Sequence, residues 1–124
     1  MKIRNYQLGD EYRLDMNDTM REEWAINGAE NENRLRLYES KTIEKDGRPV
    51  CVLNSFPTSE GVYVWFIADR NMPAMALRIV KRMLDEYKKE HGMLFTYSAS
   101  NEKQDKMHRF LGFNELKTKK MWRF

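Results

Sequence analysis

Polar and apolar positions alternate over residues 2 to 6, Lys-Ile-Arg-Asn-Tyr, which predicts a short edge strand, and Gly9-Asp10 then offers an N-cap for a helix. From Tyr12 the apolar residues recur as Tyr12, Met16, Met20 and Trp24, with Arg13, Asp15, Asp18, Arg21 and Glu22 elsewhere on the wheel, so this i, i+4 stripe is expected to pack on a sheet. The polar cluster at residues 27 to 33, Asn-Gly-Ala-Glu-Asn-Glu-Asn, is expected to end that helix. Leu35 to Lys45 and Val50 to Phe56 read as strands, and the Asp46-Gly47 pair between them is a strong hairpin signal. A second turn is expected at residues 57 to 61, Pro-Thr-Ser-Glu-Gly. After it, Val62 to Ala68 is a continuous apolar and β-branched run, as suits a central strand covered on both faces.

From Pro73 the period becomes helical: Leu77, Val80, Leu84 and Tyr87, supported by Ala76 and Met83, form one face until His91-Gly92 supplies a stop. Met93 to Ser98 then reads as a strand, Glu102 to Leu111 as a short helix closed by Gly112, and Phe113 to Phe124 as one or two final strands. The expected fold class is α/β (α+β), a single domain over residues 1 to 124 in the order β-α-β-β-β-α-β-α-β. A strand, crossover helix and further strand imply parallel pairing inside an otherwise antiparallel, mixed sheet. A ligand site in such a sheet is expected beyond the carboxyl ends of the strands, where they diverge.

Composition narrows the class without changing this outline. The 124 residues are 41% hydrophobic with three Trp and six Phe, enough for a core, and no run reaches the roughly 18 apolar residues of a membrane span. The first residues lack the apolar stretch of a secretory signal, so a cytoplasmic location and no membrane partner are expected. Cys51 lies in an apolar run and reads as a buried strand cysteine; no metal-ligating pattern accompanies it. The net charge of +3 is mild, with basic residues gathered at Lys117, Lys119, Lys120 and Arg123 and at Arg78, Lys81, Arg82, Lys88 and Lys89. Without aromatic interleaving or a recognisable module, nucleic acid is not an expected partner.

Three local features then stand in one order: Ile3-Arg4 leading into Asp10, the hairpin Glu44-Lys45-Asp46-Gly47-Arg48-Pro49-Val50, and Asn101 followed eleven and twelve residues later by Gly112-Phe113. Together they resemble the GNAT superfamily of N-acetyltransferases across the whole chain. The resemblance implies an acyl-CoA N-acyltransferase fold, with acetyl-CoA bound where the fourth and fifth strands splay apart. It implies coenzyme contacts from Ile67, Ala68, Arg70, Asn71, Met72, Ala74, Met75, Ala76 and Asn101. The family's phosphate turn runs Gln or Arg, two variable residues, Gly, one residue, then Gly or Ala. Here Asn71 takes the leading place, Ala74 replaces the Gly, Ala76 conforms, and Pro73 removes one N–H donor. Arg70 and Arg78 are expected to supply compensating charge or to be ordinary surface residues.

For catalysis the resemblance implies His108 as the acid, seven residues on from Asn101, with Tyr97 as a second candidate acid and Glu60 as the base, eleven residues before Asn71. Read for structure alone, His108 is a partly exposed helix residue, Tyr97 a packed strand aromatic and Glu60 an exposed turn residue. The acceptor implied is an amine on a small molecule or a protein, drawn by the acidic stretch Glu30 to Glu32 and the acidic first helix. The alternative is a catalytically inactive protein, similar to the GNAT-like proteins that tailed phages encode as virion or host-interaction components, located in the host cytoplasm or the virion. Its partner would be a protein, met by a surface such as Met121-Trp122-Arg123-Phe124, and a homodimer is one assembly it allows.

Overall fold

The computed structural model describes residues 1–97, 102–116 and 121–124, and of residues 102–104, 115, 116 and 121 the backbone alone. Its strands are β1 (Lys2–Asn5), β2 (Glu39–Lys45), β3 (Arg48–Thr58), β4 (Gly61–Ala68), β5 (Leu94–Tyr97), β6 (Asn114–Leu116) and β7 (Met121–Arg123). Its helices are α1 (Asp18–Leu37), α2 (Ala74–His91) and α3 (Glu102–Leu111). The strands form a seven-stranded sheet in the order β1-β2-β3-β4-β5-β7-β6. β4 and β5 pair in parallel, Val62 opposite Leu94 and Tyr63 opposite Phe95, while β1 with β2, β2 with β3, β5 with β7 and β6 with β7 pair antiparallel. This is the mixed, mostly antiparallel α+β architecture that the sequence predicts. By its contacts the chain groups into two compact units, one of residues 1–56 with 65–76 and the other of residues 57–64 with 77–124.

In the first unit the helix expected from Gly9 does not start there. Gly9 takes a positive φ of 95°, residues Asp10–Arg13 make a single 3-10 turn, and Leu14 is extended. α1 begins only after Asn17, whose Oδ1 accepts the Met20 N–H at 2.9 Å as an N-cap. The stripe from Tyr12 to Trp24 is therefore split between two elements. The polar cluster at residues 27 to 33 is helical, contrary to expectation, and α1 runs on to Leu37, so β2 starts at Glu39 rather than Leu35. Two i, i+4 ion pairs, Glu30 with Arg34 at 2.6 Å and Glu32 with Arg36 at 3.7 Å, support that polar stretch. Gly28 is accepted because the Trp24 indole lies over it; an added Cβ would come within 3.1 Å of the ring. The end of α1 is tied to the sheet by buried Asn54 of β3, whose Nδ2 donates to Arg34 O at 3.0 Å and to Ser40 Oγ at 2.9 Å.

The hairpin expected at Asp46-Gly47 is present. Both residues take positive φ, 53° and 77°, the backbone pattern of a type I′ turn. The core of this unit gathers Leu14, Met16, Leu35, Val52 and Ile67, with Tyr6, Met20, Trp24 and Trp65 packed against it. Cys51 is fully buried, and burial pushes its thiol pKa up.

In the second unit α2 buries Ile79, Val80, Met83, Leu84 and Tyr87 on one face, close to the predicted set; Leu77 is only half-buried and Ile79 takes its place. Thr96 pairs with Trp122 and Tyr97 with Met121 across β5 and β7. Directly opposed residues share a face, and successive ones alternate. Trp122 and Thr96 thus occupy one face, whereas Tyr97 lies on the other with Phe95 and Tyr63, whose rings are 5.6 and 5.3 Å from it.

The first unit's most heavily bonded buried polar group is Asp10. It accepts from Arg4 Nη1 at 2.8 Å, Arg4 Nη2 at 3.0 Å, the Gln7 N–H at 2.9 Å and Thr42 Oγ1 at 2.7 Å. Burial pushes its pKa upward, but the bonds from Arg4, Gln7 and Thr42 outweigh that and hold it below the usual carboxylate range. A depressed folded pKa gives stability that is present above the unfolded value of about 3.9 and is lost as pH falls through the folded value. Asp10→Ala should cost about 3 kcal/mol in urea denaturation at pH 7, since Arg4 loses a buried partner. Asp10→Asn should lose stability at pH 7 and show a shallower decline below pH ~4 than the parent chain.

Candidate functional site

The segment that joins β4 to α2 is built by hydrogen bonds rather than by glycines. The Asp69 N–H donates to Val50 O at 2.9 Å, and its carboxylate accepts twice, from the Asp15 N–H at Oδ2 and from the Asn71 N–H at Oδ1, each at 3.0 Å. The Met72 N–H closes a turn on Asp69 O at 3.0 Å, and the Arg70 N–H donates to Asp15 O at 2.7 Å. Arg70 is held by its side chain as well, Nη2 donating to Met16 O at 2.9 Å and Nε lying 3.0 Å from Asp15 Oδ2. Arg21 Nη2 meets the other Asp15 oxygen at 3.0 Å. The backbone donors of residues 69 to 72 are therefore committed to the fold.

α2 starts immediately afterwards. Pro73 has no N–H, and the Ala76 N–H turns back to Pro73 O at 3.0 Å. Among the described residues, no acceptor meets the N–H groups of Ala74 and Met75. Both residues are exposed, Met75 at 50%, and the first turn of α2 carries no acidic side chain. These two open donors stand at the positive end of an 18-residue helix, an arrangement whose dipole favours negative charge. Ile67, Ala68 and Ala76 are buried, while Asn71 is exposed and Met72 half-buried. The eight predicted contacts from Ile67 to Ala76 thus fall on one continuous segment of the first unit. Arg70 is spent on Asp15 and Met16; Arg78, in the second unit, is exposed on α2.

The predicted acid and base residues lie in the second unit. Glu60 is an exposed turn residue whose N–H donates to Thr58 Oγ1 at 3.1 Å. Tyr97 is 52% exposed, not packed away. His108 is buried at 6%, not partly exposed, and its ring lies 5.2 Å from Trp122 and 5.7 Å from Phe113. Its Nδ1 has no hydrogen-bond partner among the described residues. Because His108 packs on Trp122, it belongs to the sheet face opposite Tyr97. Asn101 lies outside the described residues.

Solved structures share this architecture. A Bacillus cereus acetyltransferase of the GNAT family superposes with a TM-score of 0.69 at 11% identity, covering 99% of this chain and 95% of that one. The fold is that of the GNAT N-acetyltransferases. An aminoglycoside 6'-acetyltransferase type Ii has a TM-score of 0.67 at 14% identity, covering 94% of this chain and 84% of its own. A Thermoplasma acidophilum protein described as an acetyltransferase has a TM-score of 0.69 at 13% identity over 94% of this chain, which spans 54% of that one. Comparison of the sequence with protein-family models and with curated proteins finds no match. Against the GNAT fold, Asp15 is the residue that sequence reasoning misses: it falls inside the helix predicted from Gly9, and nothing local marks it as a partner of a turn 54 residues away.

Burial lowers the His108 pKa below its ordinary 6.5, with Asp105 opposing the shift. For a histidine whose folded pKa is depressed, the unfolded chain binds more protons, so stability is complete above pH ~6.5 and falls as pH drops through that range. His108→Phe should therefore flatten the loss of thermal stability between pH 6.5 and about 5, which a melting series across that window would reveal.

Proposed function

We propose that the chain is an N-acetyltransferase of the GNAT fold, moving an acetyl group from acetyl-CoA to an amine. The observation that carries this reading is the pair of open N–H donors at Ala74 and Met75, which fits an anionic diphosphate oxygen at the start of α2. The fit is narrower than in the family's glycine-rich turn, because the donors of residues 69 to 72 are engaged and Pro73 contributes none. Both Asp69 oxygens accept backbone N–H bonds, which solvate the carboxylate without removing its charge. Acetyl-CoA brings the activated thioester; the protein must take a proton from the ammonium and return one to the thiolate. Of the two acids considered, Tyr97 is the one solvent reaches, and His108 is buried. Glu60, exposed in its turn, is the base of this reading.

A second reading, a catalytically inactive protein that works by protein binding, is favoured by the same closed turn. Asp15 and Asp69 occupy donors that a phosphate would otherwise use. Thermal melting with added coenzyme A separates the two. The transferase reading predicts a melting temperature that rises with coenzyme, approaching about 2.7 kcal/mol of added stability at a hundred times Kd. Asp15→Asn, by loosening the hold on Arg70, should steepen the response. A melting temperature unmoved by millimolar coenzyme A in both chains would leave the non-catalytic reading.

A further inference from the structure

Charge is divided unevenly between the two units. The second carries 12 Lys and Arg to seven Asp and Glu and the first carries 10 to 12, which together make the chain's 22 and 19. The excess gathers on α2. At about 100° per residue, Arg78, Lys81, Arg82, Lys88 and Lys89 fall within an arc of about 120°, with Asp85 the single acid inside it and Glu86 and Glu90 beyond its edge. All five cations are exposed, and among the described residues none of them pairs with a carboxylate. In the first unit, by contrast, Arg4, Arg21, Arg34, Arg36 and Arg70 each meet one. Arg78 stands three and four residues from Lys81 and Arg82, a like-charge spacing that destabilises a helix, so helix stability does not account for the stripe.

The sequence shows these cations without aromatic residues between them; the fold brings the aromatics from α3 and β7. Lys81 Nζ lies 5.3 Å from the centre of the Phe110 ring and Lys88 Nζ 5.5 Å from that of Phe124, while the Arg109 guanidinium of α3 lies 5.5 Å from that of Trp122. These contacts place long, flexible side chains against the rings. Phe110 is 46% exposed, so the ring beside Lys81 keeps surface for a flat partner. The apolar face of α2 is buried in the core through Ile79, Val80, Met83, Leu84 and Tyr87, and the helix therefore lacks the free apolar face by which one lies in a lipid surface.

We propose that the stripe on α2, with Phe110 beside it, binds single-stranded nucleic acid. From Arg78 to Lys89 the helix rises about 16 Å, enough to follow several phosphates of a strand that advances about 3.4 Å per stacked nucleotide. Phosphates meet the cations, and a base stacks on Phe110. The surface uses none of the residues of the turn before α2 and stands whether or not coenzyme binds there.

Anisotropy of fluorescein-labelled RNA and DNA single strands of about 12 nucleotides, titrated with the chain, reads the binding. A Kd below about 100 µM in about 50 mM salt is expected for at least one of them, the logarithm of the affinity falling against that of salt with a slope of about −3. Arg82→Gln, Lys88→Gln and Lys89→Gln together should weaken binding at least about tenfold and flatten the slope by about 2. Lys2→Gln, Lys45→Gln and Arg48→Gln, which remove the same charge from exposed positions of the first unit, should leave both unchanged. Phe110→Ala should weaken binding about fivefold or more with the slope kept. No binding of either strand at about 100 µM chain, equal loss in the two triple variants, unchanged affinity in Phe110→Ala, or a polyglutamate chain that competes as well as nucleic acid would overturn the proposal. Full displacement of the strand by coenzyme A at matched ionic strength would overturn it too. Should the α2 triple variant fail to fold, Lys89→Glu, at an exposed position, decides in its place: weakened binding supports the surface, and retained affinity refutes it.

Discussion

Two aspartates 54 residues apart, Asp15 and Asp69, set the conformation of the chain where β4 gives way to α2. Asp69 receives the N–H groups of Asp15 and Asn71, and Asp15 in turn receives the Arg70 N–H at its carbonyl and two guanidinium groups at its carboxylate. These contacts are exposed and each contributes on the order of 1 kcal/mol or less, so it is their number that fixes a turn containing no glycine. A phosphate-binding turn ordinarily leaves such donors open for an anion from outside. Here three of the four donors of residues 69 to 72 go to backbone carbonyls and that of Asn71 to the Asp69 carboxylate, so the N–H groups of Ala74 and Met75 are the ones left without an acceptor among the described residues.

The clasp also depends on how the chain reaches Asp15. Gly9 and the 3-10 turn at Asp10–Arg13 bring Leu14 and Met16 into the core and leave Asp15 at the surface between them. Arg4 and Thr42 hold Asp10 on the sheet, which anchors the start of that path. The Asn17 cap then launches α1 in a new direction. In the second unit, the alternation of β5 has the opposite effect on the protonatable groups. It separates them, His108 buried on the face of Trp122 and Tyr97 exposed on the other, so the two do not share a site.

Much of this fold is legible in the sequence where the signal is local. Asp46-Gly47 announces its turn because both residues tolerate positive φ, and α2 announces its face because Val80, Leu84 and Tyr87 repeat with the helical period. α1 is misread at both ends for a physical reason. Its start is decided by the Asn17 cap rather than by the apolar stripe, and its polar middle is sustained by ion pairs and by Trp24 folding over Gly28, which no hydrophobic pattern encodes. The contacts expected from Ile67 to Ala76 fall on one stretch of chain, but the engagement of the Arg70 N–H by the Asp15 carbonyl, from far along the chain, leaves no local signal. His108 looks like a surface residue in a charged segment until Phe113 and Trp122 close around it.

Amide hydrogen exchange along residues 69 to 76 tests the account of the clasp and the open helix end most directly. Slow exchange at Arg70, Asn71 and Met72, with Ala74 and Met75 exchanging near the rate of an unbonded amide, is the predicted pattern. Protection of Ala74 and Met75 together with fast exchange at Arg70 and Asn71 would contradict it.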